Sequence, residues 1–123
     1  MVQSQKVIEL EFTTLEFFPG HVISKPREGE VLEGKQVADL MELCSEYYTN
    51  ENFDYISSRV NDYNVNPTVY LDLEIMTNLK GIAVVSSKSS SLNMARFEKN
   101  FCKLPYEIFT DLKSAREWAH ELI

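Results

Sequence analysis

The chain has 123 residues, of which 44% are hydrophobic, and this length and composition fit one globular domain. Its 19 acidic residues exceed its 12 basic residues and give a formal net charge of −7. Because such a charge repels a polyanion at long range, we expect no nucleic-acid partner.

The first 25 residues predict three short strands. KVIELEF (6–12) alternates apolar and polar residues, which is the period of a half-buried strand. LEFF (15–18) and HVISK (21–25) predict two more strands around Pro19-Gly20, where proline presets φ and glycine accepts a positive φ. An antiparallel meander is therefore expected to open the chain.

A helical period follows from about residue 33 to 48. Apolar residues recur there at spacings of three and four, namely Val37, Leu40, Met41, Cys44, Tyr47 and Tyr48. FDYISSRV (53–60) is rich enough in β-branched and aromatic residues for a strand. Asn66-Pro67 predicts the N-cap and first position of a second helix that runs to about residue 79, with Gly81 as its left-handed end.

The last third of the chain predicts two further strand–helix units. IAVVS (82–86) is a continuous apolar run, typical of a central parallel strand. One of the serines at 89–91 is expected to cap a third helix, whose buried stripe is Met94, Phe97, Phe101 and Leu104. YEIF (106–109) predicts the last strand, and Thr110 or Asp111 is expected to cap the last helix.

These elements predict one α/β domain over residues 1–123. The domain has a mixed β-sheet of about five or six strands, with an N-terminal antiparallel meander followed by βα units, and about four helices.

The element order resembles the STAS fold of the SpoIIAA-like anti-sigma-factor antagonists, which is related to the lipid-binding SEC14 type. YISSRVNDYNVNP (55–67) is similar to the central strand and following loop of such domains, and GIAVVSSKSSS (81–91) to the next strand and its outlet. LPYEIFTDLKSAREWAHELI (104–123) is similar to the closing strand and helix. The antagonists carry a phosphorylatable serine at the helix after the central strand. Asn64-Val-Asn-Pro-Thr68 occupies that place here, so Thr68 is the candidate phosphoacceptor by resemblance.

Two polar loops follow the strands at 53–60 and 82–86. The candidate ligand- or partner-binding residues in them are Ser57, Ser58, Arg59, Asn61, Asn64, Asn66, Ser87 and Lys88. If the two strands are parallel neighbours, both loops emerge at one edge of the sheet, where α/β proteins present ligand sites. Arg59 and Lys88 would then recognise a carboxylate or phosphate. The alternative is that the asparagines and serines simply make turns and caps.

No set of catalytic, metal or cofactor residues is recognised. Residues 29–36 have the glycine spacing of a phosphate loop, but acidic residues lie within it and Gln36 follows the lysine where Ser or Thr is needed. His21 and His120 each lack a second ligand at metal spacing. We therefore predict no catalytic residue, no metal and no cofactor.

The sequence favours a non-catalytic regulatory or protein-interaction domain, with an unidentified protein partner and a possible homodimer. A small-molecule or lipid-binding domain is the alternative, given the SEC14 relation and the many tyrosines. An enzyme that uses the two loops is a third possibility.

Three features predict a cytoplasmic protein. The N-terminal segment lacks the apolar core of a secretory signal. No apolar run approaches the ~20 residues of a membrane span, so we expect no integral membrane association. Cys44 and Cys102 fall on apolar helix positions and are expected to be reduced core thiols.

Overall fold

The computed structural model describes residues 5–122, except for the side chains of residues 72, 74 and 75. The strands are β1 (Lys6–Glu9), β2 (Thr13–Phe18), β3 (His21–Pro26), β4 (Val31–Leu32), β5 (Phe53–Ser58), β6 (Asn64–Val65), β7 (Leu79–Val85) and β8 (Tyr106–Phe109). The helices are α1 (Gly34–Tyr47), a 3₁₀ helix (Pro67–Ile75), α2 (Ser89–Lys99) and α3 (Leu112–Leu122).

Six strands form one mixed sheet in the order β1-β2-β3-β5-β7-β8, which follows the order of the chain. β1, β2 and β3 pair antiparallel, whereas β3, β5, β7 and β8 pair parallel. The turn between β2 and β3 contains Gly20 at φ 78°, so the predicted role of this glycine is confirmed. β4 and β6 form a separate parallel pair. The predicted α/β class and N-terminal meander are confirmed.

The two faces of the sheet are covered unequally. α1, the 3₁₀ helix and α2 cover one face, where Leu40, Tyr48 and Ala95 join the larger core cluster. α3 covers the other face through Ala115 and Ala119. All six residues of β5 are buried, because this strand lies between β3 and β7 and has helices on both sides.

The predicted helix at 67–79 is wrong in type and length. It is a 3₁₀ helix that ends at Ile75, so residues 5–122 contain three α-helices instead of about four. Apolar residues crowd nearly every position from Val69 to Met76 and leave no single apolar face for an α-helix to bury. Gly81 lies inside β7 and does not end a helix.

The predicted buried stripe of α2 is wrong at Phe97, although Phe101 and Leu104 pack partly buried against the larger core cluster. Ser91, Ala95 and Glu98 are buried, whereas Phe97 is 60% exposed. The N-cap is Lys88, whose backbone N–H donates to Ser86 Oγ at 3.1 Å, so no serine at 89–91 is the cap. Small side chains at 91 and 95 let α2 approach the sheet closely, and this turns the larger Phe97 outward.

Two predicted caps are confirmed. Asn66 Oδ1 accepts the backbone N–H of Thr68 at 3.1 Å, directly before Pro67. Asp111 Oδ1 accepts the backbone N–H of Ser114 at 2.8 Å at the start of α3. Among residues 5–122, no helix combines the length and apolar character that a membrane crossing requires.

Candidate functional site

The two polar loops meet at the carboxyl edge of the sheet. β5 and β7 are parallel neighbours, with Ser58 opposite Val85 at their ends. Beyond them, the backbone N–H of Arg59 donates to the Val85 carbonyl at 2.8 Å. Lys88 Nζ lies 3.1 Å from Asp62 Oδ1 and joins the two loops. The predicted meeting of the loops is confirmed, and we call residues 59–66 and 86–91 the polar rim.

Arg59 points from the polar rim into the core. Its side chain is almost inaccessible, and its guanidinium forms two hydrogen bonds with Glu98, one of them from Nη1 to Oε2 at 2.9 Å. Tyr70 Oη donates to Oε1 of the same carboxylate at 2.7 Å. Burial lowers the pKa of Arg59, but the hydrogen bond and charge of Glu98 outweigh it and leave the pKa raised. Arg59 therefore stays protonated inside the protein, and the Glu98 carboxylate balances its charge.

Several other candidate residues also form internal hydrogen bonds. Ser57 is buried, and its hydroxyl is hydrogen-bonded to Tyr63 Oη. Asn61 Nδ2 donates to the Pro26 carbonyl at 3.1 Å, and Asn66 caps the 3₁₀ helix. Ser58 is 6% exposed. The structure therefore places these four side chains in the turn, cap and core roles of the alternative interpretation.

The accessible part of the polar rim contains Asn64, Ser87 and Lys88. It borders an open cleft of about 350 Å³ that is lined by Glu28, Gly29, Asp62, Tyr63, Asn64, Ser90, Ser91 and Met94. Thr68 is exposed beside Asn66, to whose Oδ1 its hydroxyl donates at 2.8 Å. The charged residues that line the cleft are acidic, namely Glu28 and Asp62, and the cleft also offers amide and hydroxyl groups to a ligand or partner.

An aromatic pair, of which Phe97 is exposed and Phe101 is partly buried, continues this surface along α2. Phe97 packs edge-on against Phe101, with 5.4 Å between the ring centroids. Met94, which lines the cleft, lies one turn before Phe97 on the same flank of the helix. The aromatic pair of Phe97 and Phe101 therefore extends the polar rim with an apolar surface.

Sequence reasoning missed Glu98, which anchors Arg59. The signal was an arginine directly after a strand that the chain buries completely, because a charge buried there needs a carboxylate partner. Glu98 lies on the helix face that also holds Ser91 and Ala95. The apolar residues on another flank of α2 masked this face.

Neither thiol is part of the polar rim. Cys44 and Cys102 are free. Burial raises the pKa of the Cys44 thiol to about 12, which keeps it protonated and unreactive at neutral pH. Within residues 5–122, no three His, Cys, Asp or Glu side chains are grouped as a metal site would require.

Comparison with known proteins identifies the fold. No family model and no curated protein sequence matches the chain. The structure is similar to the crystal structure of an uncharacterized protein of the DUF3478 family from Shewanella loihica PV-4, which has a SpoIIAA-like fold. The alignment covers 97% of this chain and 95% of that chain, with a TM-score of 0.55 and 11% identity. The chain therefore has a SpoIIAA-like fold, as its element order predicted.

Proposed function

We propose that this chain is a non-catalytic regulatory or protein-interaction domain that acts through the polar rim and the aromatic pair. The observation that carries the proposal is the exposure of Phe97 beside an open cleft at the carboxyl edge of the sheet. Exposed aromatic side chains that are rimmed by polar groups are typical of protein interfaces.

The surface combines an anchor with orienting groups. Phe97 and Phe101 provide apolar area that a partner would remove from water. Asn64, Ser87 and Ser90 are exposed and supply hydrogen-bond donors and acceptors around it. The ion pair between Lys88 and Asp62 is largely open to water, so it contributes little to stability and is free to rearrange on binding.

Thr68 is the proposed site of regulation by phosphorylation. Its hydroxyl is exposed and forms one hydrogen bond, to the Asn66 side chain. A phosphate there would compete with the cap of the 3₁₀ helix and add negative charge near the loop that follows β5.

The test uses the tagged protein and its Phe97→Ser variant in pull-downs from a lysate of the source cells, with sedimentation velocity for self-association. We expect one reproducible partner, or a dimer, that Phe97→Ser loses. Val7→Ser is the matched control because Val7 is 54% exposed but lies on edge strand β1, away from the polar rim. Absence of both a partner and self-association in the unmodified protein would contradict the proposal, as would equal loss in both variants.

A second candidate function is the binding of a small apolar molecule or lipid. An open cleft of about 260 Å³ lies between α1 and the 3₁₀ helix and is lined by Gly34, Val37, Ala38, Met41, Val69, Leu73 and Met76. Four of these residues also line an inner cavity of about 30 Å³ that reaches Tyr55 and Ser57. The inner cavity has room for only a water molecule or two, so a ligand must displace the 3₁₀ helix to enter.

Native mass spectrometry after gentle purification tests this second candidate. We expect a bound species of constant mass that is lost when Ala38→Trp fills the mouth of the cleft. Asp39→Asn, on the neighbouring exposed position of α1, is the control. A spectrum that contains only the mass of the polypeptide would contradict the candidate.

A further inference from the structure

A second buried polar cluster lies at the opposite end of β5, beneath α3. Asp54 is 0% exposed, and neither of its carboxylate oxygens has a hydrogen-bond partner among residues 5–122. A buried carboxylate that lacks donors and a counter-ion is strongly disfavoured. The polar rim does not use this side chain, so its position calls for a separate explanation.

α3 closes over Asp54 with apolar atoms. Gly81 is the neighbour of Asp54 on β7. A Cβ placed on Gly81 would lie 2.5 Å from Leu122 Cδ1, 3.1 Å from Trp118 Cη2 and 3.0 Å from Asp54 Oδ1. The C-terminal turns of α3 and the Asp54 carboxyl group therefore meet at the same point above Gly81, and the atoms that α3 brings there are carbon atoms, which donate no hydrogen bond.

The titratable groups near Asp54 come from three other elements, β3, α3 and β7. His21 is its neighbour on β3, and His21 Nε2 is also buried without a hydrogen-bond partner in the described part of the chain. On α3, the Arg116 guanidinium carbon lies 4.4 Å from the centroid of the Phe18 ring, and Arg116 donates no hydrogen bond to Asp54. The open cleft beside them is lined by Pro19, His21, Arg116, Glu117, His120 and Glu121. On the β7 side, Lys80 Nζ donates to the Thr77 carbonyl.

Burial favours the neutral form of both central groups. Burial raises the pKa of Asp54 to about 7. Burial, and then the charge of Arg116, lower the pKa of His21 to about 4. Because the carboxyl pKa is raised above its ordinary value of 3.8 in the closed structure, the protonated carboxyl stabilises that structure at low pH, and this contribution is lost as the pH rises through about 7.

We propose that Asp54 is a proton-dependent latch for α3. The protonated carboxyl lets the last turns of α3 close over Gly81. Ionisation of the carboxyl group releases these turns. The charge is stabilised by water, and Leu122 and Trp118 keep water away from it while α3 is closed. The latch is independent of the proposed partner surface, which lies at the other end of the sheet.

Trp118 reports directly on the latch because it is the only tryptophan of the chain and packs on Gly81. The test is quenching of its fluorescence by neutral acrylamide between about pH 5 and about pH 8. We expect the quenching constant to rise about twofold or more with a midpoint near the carboxyl pKa, and to stay constant in Asp54→Asn. Asp39→Asn, which removes an exposed carboxylate from α1, is expected to follow the unmodified protein.

Gly81→Ala is the positive control, since its added methyl group displaces Leu122 and Trp118 at every pH. A constant quenching constant in the unmodified protein would overturn the proposal, and so would an equal rise in Asp54→Asn. If Asp54→Asn does not fold, the Asp54 carboxyl carbon is titrated by NMR in the unmodified protein. Coincidence of its midpoint with the fluorescence midpoint supports the latch, and a clear separation of the two overturns it.

Discussion

Arg59 and Asp54 lie at the two ends of β5 and face opposite sides of the sheet. Both are nearly inaccessible, with 3% and 0% exposure. The Arg59 guanidinium donates two hydrogen bonds to the Glu98 carboxylate, and Tyr70 donates a third to the same carboxylate. Asp54 has no such partner among residues 5–122. The comparison shows that burial alone does not decide whether a side chain is charged, because the partner decides it.

The two sites should therefore respond differently to mutation and to pH. Arg59 and Glu98 form a buried salt bridge, and removal of either leaves the other without its partner. Asp54 is neutral at low pH, and its removal leaves no ion behind. Four predictions test this difference, from the largest expected effect to the smallest.

Glu98→Gln should lower the free energy of unfolding by about 3–5 kcal/mol, because Arg59 remains buried without its counter-ion. Urea denaturation at neutral pH measures the change. Glu107→Gln is the matched control: Glu107 pairs with Lys99 at 3.4 Å, and both side chains are about half exposed, so the expected loss is below about 1 kcal/mol. Similar losses in the two variants would show that burial of the pair does not matter.

Tyr70→Phe should lower the free energy of unfolding by about 1.5–3 kcal/mol, because it removes a buried hydrogen bond to the Glu98 carboxylate. The same urea titration applies. Tyr47→Phe is the control, since Tyr47 Oη donates to Gln5 at the surface. An unchanged midpoint in Tyr70→Phe would mean that Arg59 alone satisfies Glu98.

Gly81→Ala should lower the unfolding free energy by about 1–3 kcal/mol, because a methyl group there overlaps Leu122. Thermal unfolding gives the change. Gly34→Ala is the matched glycine control, since a Cβ at Gly34 meets no atom within 4 Å. Stability equal to the unmodified protein would show that α3 does not pack closely on β7.

His21→Gln should give the smallest effect, since His21 is only partly buried. The lowered pKa of His21 means that its stabilising contribution is present above its ordinary value of 6.5 and is lost as the pH falls towards about 4. The variant should therefore gain stability relative to the unmodified protein over this range. Denaturant midpoints collected against pH provide the measurement, and a constant difference between the two proteins would refute the assignment. His120→Gln is the comparison variant because His120 lies on the exposed side of α3.

The sequence predicted those features that depend on local periodicity. α1 carries apolar residues at helical spacing, β5 is rich in aromatic and β-branched residues, and β7 ends in the apolar run 82–85. The class, the meander and the meeting of the two loops were therefore all predictable. The side of the sheet that Arg59 faces could not be predicted, because its partner Glu98 is distant in the sequence. Phe97 was wrongly predicted to lie in the core. The apolar residues of α2 give a stronger local signal than the small residues Ser91 and Ala95, which in fact face the sheet.

Gly81 also shows that local patterns do not reveal contacts between distant parts of the chain. A glycine after a possible helix indicates a helix end by local rules. Its actual environment is set by Leu122 and Trp118, at the far end of the chain. Close approach between distant segments leaves no periodic signal, so neither the start of β7 nor the cluster beneath α3 could be predicted.

The order of strands in the main sheet bears on how the protein is made. Each strand after β1 pairs with the sheet strand that precedes it in the chain. As the polypeptide leaves the ribosome, every new strand can add to an open edge, and none has to be inserted between two strands already paired. α3 follows all six strands of the main sheet in the chain, so the Asp54 face of the sheet stays open to water until every strand of that sheet has been made.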